Sequence, residues 1–460
     1  MQIIIGSEIR VKDAVKALKD WCRGNLVVPN PEYINRARRG LWTGNTPEYL
    51  WLYRAEGNDL VLPTGTGKQI RQFMGQGDTV SVDLADNGIM DYSGNIPLYD
   101  YQKSAVEAMA KASCGILQSP CGSGKTQMGI ALAAKLERKA LWITHTQDLL
   151  LQSFERAAQY LPADCLGRIS AGKVQIGSLM TFATVQTLSK LDLSQYRKAW
   201  EVVLADECHR LAGTPAQVTM FYKVINHVAA RHKYGLSATV HRSDGMIKST
   251  FAVLGPVIYQ VPDEAVTEKT LPVRILRRDT GIKTGMCCLD TDGTLVYSKL
   301  IGYLTGSKER NSRIIQDLVA NREHYNLVLS DRLDHLRELL SGLPADLQDE
   351  AAMIDGSMTS KRARGAREQA IEDMRDGRKH YLFASFSLAK EGLDIPRLDR
   401  LYMATPKKDY AVVTQSIGRV ARTAPGKEGA VCYDYVDDIP FCENQWKRRR
   451  AHYRKAGCML

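Results

Sequence analysis

The sequence predicts an α/β protein of two parallel-sheet lobes behind a small N-terminal α+β module, and three observations carry that prediction. From about residue 97 to 265, apolar runs of strand length alternate with helical stretches, the pattern of a parallel sheet covered on both faces. Strand-like runs recur between about 270 and 437. Residues 1 to about 95 instead mix a strand, a helical stretch and a hairpin-like pair.

At 460 residues the chain is too long for one ordinary core. The expected divisions are 1–95, an accessory module; 96–267 and 268–440, the two lobes; and 441–460, a basic tail. A hydrophobic share of 44% with 25% charged residues is that of a soluble globular protein. The net charge of +11 favours a polyanionic partner such as nucleic acid. The ten cysteines form no Cys-x-x-Cys pair, which suits reduced thiols rather than a zinc cage or a disulfide framework. Residues Met1 to Gly6 lack the pattern of a signal peptide, and no apolar run is long enough to span a bilayer. The expectation is a cytoplasmic protein without a membrane partner.

In the first module, a strand is expected at Ile3 to Ile5, a helix near Val11 to Cys22, and a hairpin pairing Tyr49 to Tyr53 with Asp59 to Pro63 across Glu56-Gly57-Asn58. Arg36-Ala37-Arg38-Arg39-Gly40-Leu41-Trp42 joins basic residues to an aromatic, which suits either a phosphate grip with base stacking or a solvated charged face. Pro63 to Gln69 imitates a phosphate loop, but Gln69 stands where Ser or Thr is needed for a metal, so it reads as a surface turn. The turn-rich stretch from Asp86 to Pro97 reads as a linker.

In the first lobe the expected strands are Gly115 to Gln118, Ala140 to Thr144, Ile176 to Thr181, Glu201 to Ala205 and Lys233 to Leu236. The first leads into Ser119-Pro120-Cys121-Gly122-Ser123-Gly124-Lys125-Thr126 and then a helix. Small residues there let backbone N–H groups curl round a phosphate, Lys125 brings a charge to the β and γ phosphates, and the Thr126 hydroxyl reaches Mg²⁺. The strict pattern has glycine where Ser119 stands. Asp206 and Glu207 close a later strand: the first acid suits Mg²⁺, and the second suits orienting and deprotonating a water. Ser237 and Thr239 could hydrogen-bond that acid pair. Gln102, ahead of the loop, has the donor and acceptor to read an adenine edge.

Taken in order, Gln102, Gly122 to Thr126, Asp206-Glu207-Cys208-His209 and Ser237-Ala238-Thr239 resemble the first motor domain of a superfamily two helicase. Glu391-Gly392-Leu393-Asp394-Ile395-Pro396 resembles the family's fifth motif, and Gln415 to Arg422 matches its sixth, Gln-x-x-Gly-Arg-x-x-Arg. Thr146 to Gln152 and Thr181 to Leu188 are similar to segments that touch a nucleic-acid backbone. The block from Gly235 to Gly245 looks most like the branch holding XPB and the phage helicase UvsW, although Tyr99-Asp100 stands where that branch often has Arg-Pro.

The resemblance covers about residues 97 to 437 and implies two RecA-like lobes, ATP with Mg²⁺ as cofactor, and DNA, duplex or branched, as partner, with RNA the alternative. It implies catalytic roles for Lys125, Asp206, Glu207, Gln415, Arg419 and Arg422. It implies nucleotide contacts at Gln102, Ser119 to Thr126, Gly392 and Asp394, and Mg²⁺ ligation by Thr126 and Asp206. Arg419 and Arg422 would reach the γ-phosphate and stabilise the charge that develops during transfer.

In the second lobe the expected strands are Asn326 to Ser330, Ala352 to Ile354, Tyr381 to Ala384, Arg400 to Met403 and Ala430 to Tyr433. Residues 280 to 310 read as an inserted hairpin, and its Asp290-Thr291-Asp292-Gly293 turn lacks the other ligands of a calcium loop. The closing run from Trp446 to Lys455 is basic with aromatics and is expected to meet phosphate. The function expected is an ATP-dependent DNA helicase or translocase that remodels duplex or branched DNA. The alternatives are an RNA helicase, the motor of a restriction complex, and a scaffold with an inactive motor.

Overall fold

The computed structural model describes residues 1–460 apart from 121, 241, 243, 263–264, 266–270, 292, 357, 359–360, 391–392 and 394. The chain forms two units, Met1–Pro262 and Asp263–Leu460. The first holds the N-terminal module and the first parallel-sheet lobe, and the second holds the other lobe.

The N-terminal sheet contains β1 (Gln2–Ile5), β2 (Ile9–Lys12), β5 (Arg54–Glu56), β6 (Asp59–Leu62) and β7 (Thr79–Val82), in the order β5-β6-β2-β1-β7. A separate pair, β3 (Val27–Pro29) with β4 (Tyr49–Trp51), stands beside it. Val11, expected in a helix, lies in β2, and the helix is Lys16–Asn25. Ile9 and Val11 alternate inward along β2, so the period of two belongs to a strand and the helix begins only after Val15. The hairpin turn at Gly57, with φ +64°, joins β5 to β6, while Tyr49 to Trp51 pairs with β3 instead.

The first lobe has eight strands in the order β11-β10-β12-β9-β13-β14-β8-β15. They are β8 (Cys114–Gln118), β9 (Ala140–Thr144), β10 (Leu166–Ser170), β11 (Lys173–Gln175), β12 (Met180–Thr184), β13 (Val202–Asp206), β14 (His232–Ser237) and β15 (Val257–Gln260). Each pairing is parallel except the β10–β11 hairpin. The strand expected from Ile176 begins four residues later, because Gly167 and Gly177 bring two backbones together and break the run. A Cβ on Gly167 would stand 2.0 Å from the Gly177 nitrogen.

Residues 83–90, which run into the stretch expected to be a linker from Asp86 to Pro97, form a strap across the amino ends of these strands. Asp83 pairs with Arg197 at 2.6 Å and Lys198 at 2.5 Å, and the Ala85 N–H donates to Ala229 O at 2.8 Å. Asn87 Nδ2 donates to Glu201 at 3.0 Å, and the Met90 N–H donates to Glu137 O at 2.9 Å. Its polar composition is explained by these backbone and carboxylate partners, which turn-rich residues satisfy as well as water does. A further tie is Lys233, fully buried, whose Nζ donates to Ser7 O at 2.7 Å and Ile225 O at 2.8 Å. Pro63 to Gln69 is no exposed turn either. Gly65 sits so close to the helix Ile247–Leu254 that a Cβ would come within 2.3 Å of the Gly255 nitrogen.

Among the described residues the second unit carries a sheet of six strands, all parallel, in the order β16-β21-β20-β17-β19-β18. They are β16 (Val273–Asp279), β17 (Asn326–Ser330), β18 (Ala351–Ile354), β19 (Tyr381–Ser385), β20 (Arg400–Met403) and β21 (Ala430–Val436). The described residues of the segment 280 to 310 form a 3-10 turn at Met286–Cys288, an isolated bridge between Leu289 and Leu295, and a helix Tyr297–Thr305, where the sequence predicts an inserted hairpin. Residues Pro440–Lys455 are a helix docked on the lobe. It buries Cys442, Gln445, Trp446, Arg449 and Tyr453 along one face and exposes Lys447, Arg448, Arg450, Arg454 and Lys455. Arg449, in the run expected to meet phosphate, is spent inside on a bidentate pair with Asp434 at 2.7 Å.

Candidate active site

Parallel strands end at a common edge, and three neighbours, β13, β14 and β8, deliver the chemistry there. β8 runs into the phosphate loop, and the helix Lys125–Leu136 begins directly after it, which puts the positive end of the helix dipole at the loop. Gly122 and Gly124 have φ of +83° and +81°, a conformation that turns successive N–H groups toward one point at little steric cost only without a Cβ.

Ser119 explains its own departure from glycine. It is fully buried, its hydroxyl meets that of Ser123, and its N–H donates to Ser237 O at 2.9 Å. Ser123 Oγ donates to Pro120 O at 2.7 Å. The hydroxyls therefore stiffen the loop from inside. Gln102 is buried as well: Nε2 donates to Ser123 O at 2.8 Å, and Oε1 accepts from the Tyr99 N–H at 2.9 Å. With each end of its amide engaged once, Gln102 braces the phosphate loop, and a second donor and a second lone pair of that amide remain. The Tyr101 hydroxyl donates to the same Ser123 carbonyl at 3.0 Å.

Asp206 ends β13, and Glu207 follows in a left-handed conformation, φ +50° and ψ +48°, that turns its side chain out of the strand direction. The Glu207 N–H donates to Asp206 Oδ1 at 3.0 Å. His209 Nδ1 lies 3.2 Å from Glu207 Oε2 and 3.0 Å from Ser237 Oγ, and Ser237 Oγ donates to Thr239 O at 2.7 Å. Burial, then the neighbouring Glu207 charge, pushes the Asp206 carboxyl upward, and Lys125 pulls it partly back. Burial also works against the charge of Glu207, but the His209 hydrogen bond, Lys125 and His145 outweigh it and hold Glu207 low. Burial and the neighbouring charge thus disfavour an ionised Asp206, which a cation would relieve, while His209 and Lys125 favour the charged form of Glu207.

The sequence assigns His209 no role of its own, because its partners Glu207 and Ser237 come together only in the fold. Its place two residues after the acid is the signal that points to it. Arg242 adds to the arrangement, donating to His209 O at 2.8 Å.

The two segments similar to backbone-touching motifs also meet. Thr146 Oγ1 accepts from the Leu149 N–H at 3.3 Å and caps the helix Gln147–Ala158 after β9, while Gln186 Nε2, after β12, donates to His145 O at 2.6 Å.

In the second unit, the helix Tyr410–Val420, capped by Asp409, places Gln415 and Arg419 one turn apart. Gln415 is buried, and its Oε1 has no hydrogen-bond partner among the described residues. Arg419 donates to Leu393 O at 3.0 Å. Lys427 Nζ gathers the carbonyls of Pro396, Leu398 and Arg422 at 3.0, 2.6 and 2.7 Å, which fixes the turn that carries Arg422. Cys121, Gly392 and Asp394 lie outside the described residues.

The residues suit a magnesium nucleotide: the loop offers N–H groups and Lys125 to phosphate, and Thr126 and Asp206 are hard oxygen donors at its edge. No helix of the described residues is long and apolar enough to cross a membrane.

Comparison with known proteins agrees with this architecture. The family model described as Type III restriction enzyme, res subunit, matches residues 95–242, and the helicase conserved C-terminal domain matches residues 309–424. A protein of Acanthamoeba polyphaga mimivirus named as an ATP-dependent RNA helicase is 27% identical over 419 residues, 88% of this chain and 76% of that protein. The XPB DNA 3'-5' helicase of Kineococcus radiotolerans is 26% identical over 345 residues, and the match covers 70% of this chain but only 55% of XPB. A fragment structure of an HsdR subunit of a type I restriction enzyme from Vibrio vulnificus shares the fold, with a TM-score of 0.55 at 17% identity over 74% of this chain and 64% of that one. With a phosphate loop and acid pair in the first matched segment and the Gln415 to Arg422 motif in the second, the chain belongs to the superfamily two helicases, related to XPB.

Proposed function

We propose that the protein is an ATP-dependent DNA helicase or translocase that remodels duplex or branched DNA. The observation that supports this reading most is the meeting of Lys125, Asp206, Glu207, His209 and Ser237 at the ends of three adjacent strands. In this reading the phosphate loop binds the β and γ phosphates and Lys125 neutralises them. Thr126 and Asp206 would hold Mg²⁺, which when bound supplies charge to the phosphoryl oxygens. Glu207 orients the attacking water and takes its proton, and His209 holds the carboxylate in place. Arg419 and Arg422 act on charge that appears in the transition state.

Hydrolysis becomes mechanical through Ser237. Its backbone carbonyl accepts from the phosphate loop, its hydroxyl meets His209, and the chain continues to Thr239, so a change at the γ-phosphate reaches several segments of the edge. The segments near Thr146 and Gln186 would track a single strand. The name of the XPB relative favours DNA, and the name of the mimivirus relative keeps RNA as the second reading. Measuring ATP turnover with single-stranded, duplex, forked and four-way DNA against RNA of matched length decides between them. Greater stimulation by RNA than by every DNA overturns the DNA assignment. The N-terminal module is read as the selector of the DNA structure acted on.

A further inference from the structure

We infer that the segment from Pro31 to Trp51 is a stacking site for unpaired nucleobases, with Trp42 as its platform and Arg38 and Arg39 as its phosphate contacts. This deepens the selector role given above to the N-terminal module and rests on that reading.

The helix Pro31–Arg38 buries none of its residues, although helices normally form by burying one face. It is held instead at its base. Asn30 caps it by accepting from the Glu32 N–H at 3.0 Å, and Asn30 is tied to the start of β4 through its N–H to Glu48 O at 2.8 Å and its Nδ2 to Pro47 O at 2.7 Å. The segment is therefore an anchored projection.

Its apolar groups point to solvent. Trp42 is 82% exposed, Tyr49 50% and Trp51 49%. A tryptophan is normally well buried, so one left this open on a fixed projection calls for a flat partner. The ring is braced from behind. Gly44 has φ +50°, and a Cβ there would lie 2.8 Å from the Trp42 ring, so only glycine lets the backbone back the indole this closely. Arg36 donates to Trp42 O at 3.4 Å and fixes the loop from the helix side. A ring held in advance loses little freedom on stacking.

Charge selects the occupant. The acids of the segment are Glu32, which Arg36 holds at 2.9 Å, and Glu48 at its base. Arg38 and Arg39 are exposed and make no ion pair among the described residues. Exposed guanidinium groups on the same short segment as an open indole suit a strand with anionic phosphates and exposed π-faces. Paired bases within a duplex hide those faces, so the site fits the unpaired arm of a fork and not a blunt duplex.

The test uses the full chain and three labelled probes: a DNA fork with unpaired arms, a blunt DNA duplex, and an RNA fork of the same length. Wild type, Trp42→Ala, Trp42→Phe and Gly44→Ala are compared by anisotropy, with 2-aminopurine in one arm reporting stacking directly. Trp42→Ala is expected to weaken fork binding by about tenfold and abolish 2-aminopurine quenching, with blunt duplex affinity retained. Trp42→Phe keeps most of both signals, and Gly44→Ala loses quenching by displacing the ring. The two forks show whether the sugar matters. Equal fork affinity and quenching in Trp42→Ala and wild type overturn the site. Wild-type ATP turnover on the same probes separates this failure from that of the motor reading, which fails if no nucleic acid stimulates it.

Discussion

His209 Nδ1 lies 3.0 Å from Ser237 Oγ and 3.2 Å from Glu207 Oε2, so one imidazole joins the ends of β13 and β14 to the carboxylate that faces the phosphate loop. Replacement by alanine removes the hydrogen bond that favours the charged form of Glu207. His209→Ala is expected to lower ATP turnover by about 100-fold, within the contribution of a positioned base. Steady-state kinetics checks this, with nucleotide affinity measured separately. Unchanged turnover would remove His209 from the mechanism.

Lys125 begins the helix after the loop, and its Nζ lies 3.5 Å from Ser119 O, a weak contact that a phosphate would replace. Lys125→Ala is expected to cut turnover by about 100-fold or more while the thermal midpoint stays near that of wild type, since the side chain faces phosphate and not the core. Calorimetry beside the ATPase assay tells loss of chemistry from loss of fold.

For Arg419 and Arg422 the expectation is selective. Either alanine variant should lose about 1,000-fold in turnover with a much smaller change in nucleotide affinity, because their charge is needed in the transition state. Equal losses in both would show ground-state binding instead.

Much of this was legible in the sequence. The phosphate loop, the acid pair and the Gln415 to Arg422 motif combine local spacing with residue types that chemistry restricts, and the buried strands Ala140 to Thr144 and Asn326 to Ser330 read directly as apolar runs. What sequence could not show depends on partners remote in the chain. Within the stretch read as a linker, Asn87, Met90 and Tyr92 give no local sign of order because their hydrogen bonds go to residues more than forty positions away. Gln102 gives no local sign that it braces the phosphate loop, because its Ser123 partner lies 21 positions on. Arg449 looks like its exposed neighbours until helix period sets it against Asp434.

The two faces of that helix are separable by measurement. Arg449→Ala leaves Asp434 buried without its counter-ion and is expected to cost about 3–5 kcal/mol of stability. Neutralising Lys447, Arg448 and Arg450 to glutamine should leave stability nearly unchanged but flatten the dependence of log affinity on log salt, by about 0.9 for each phosphate no longer neutralised. Denaturant melts report the buried face, and salt titrations of nucleic-acid binding report the exposed one. An unchanged salt slope would mean that the exposed face is only solvated.

Lys233 predicts a pH dependence of folding. Burial lowers its ammonium from the ordinary 10.5 to about 8. Between those values the unfolded chain holds the proton and the folded chain releases it, so the Lys233 contribution to stability rises with pH across that window. The stability difference between wild type and Lys233→Met should therefore grow in favour of wild type from pH 8 toward 10.5. Urea midpoints at several pH values give that difference, and a flat one contradicts the assignment.

The central claim is that nucleic acid drives ATP hydrolysis at the edge formed by Lys125, Asp206 and Glu207. Turnover of the whole protein, with and without forked DNA, in wild type and Glu207→Gln, tests it most directly. The account predicts severalfold stimulation of wild type and almost no turnover in Glu207→Gln, with fork binding retained. Wild-type turnover indifferent to every DNA and RNA, or turnover that survives in Glu207→Gln, would contradict it.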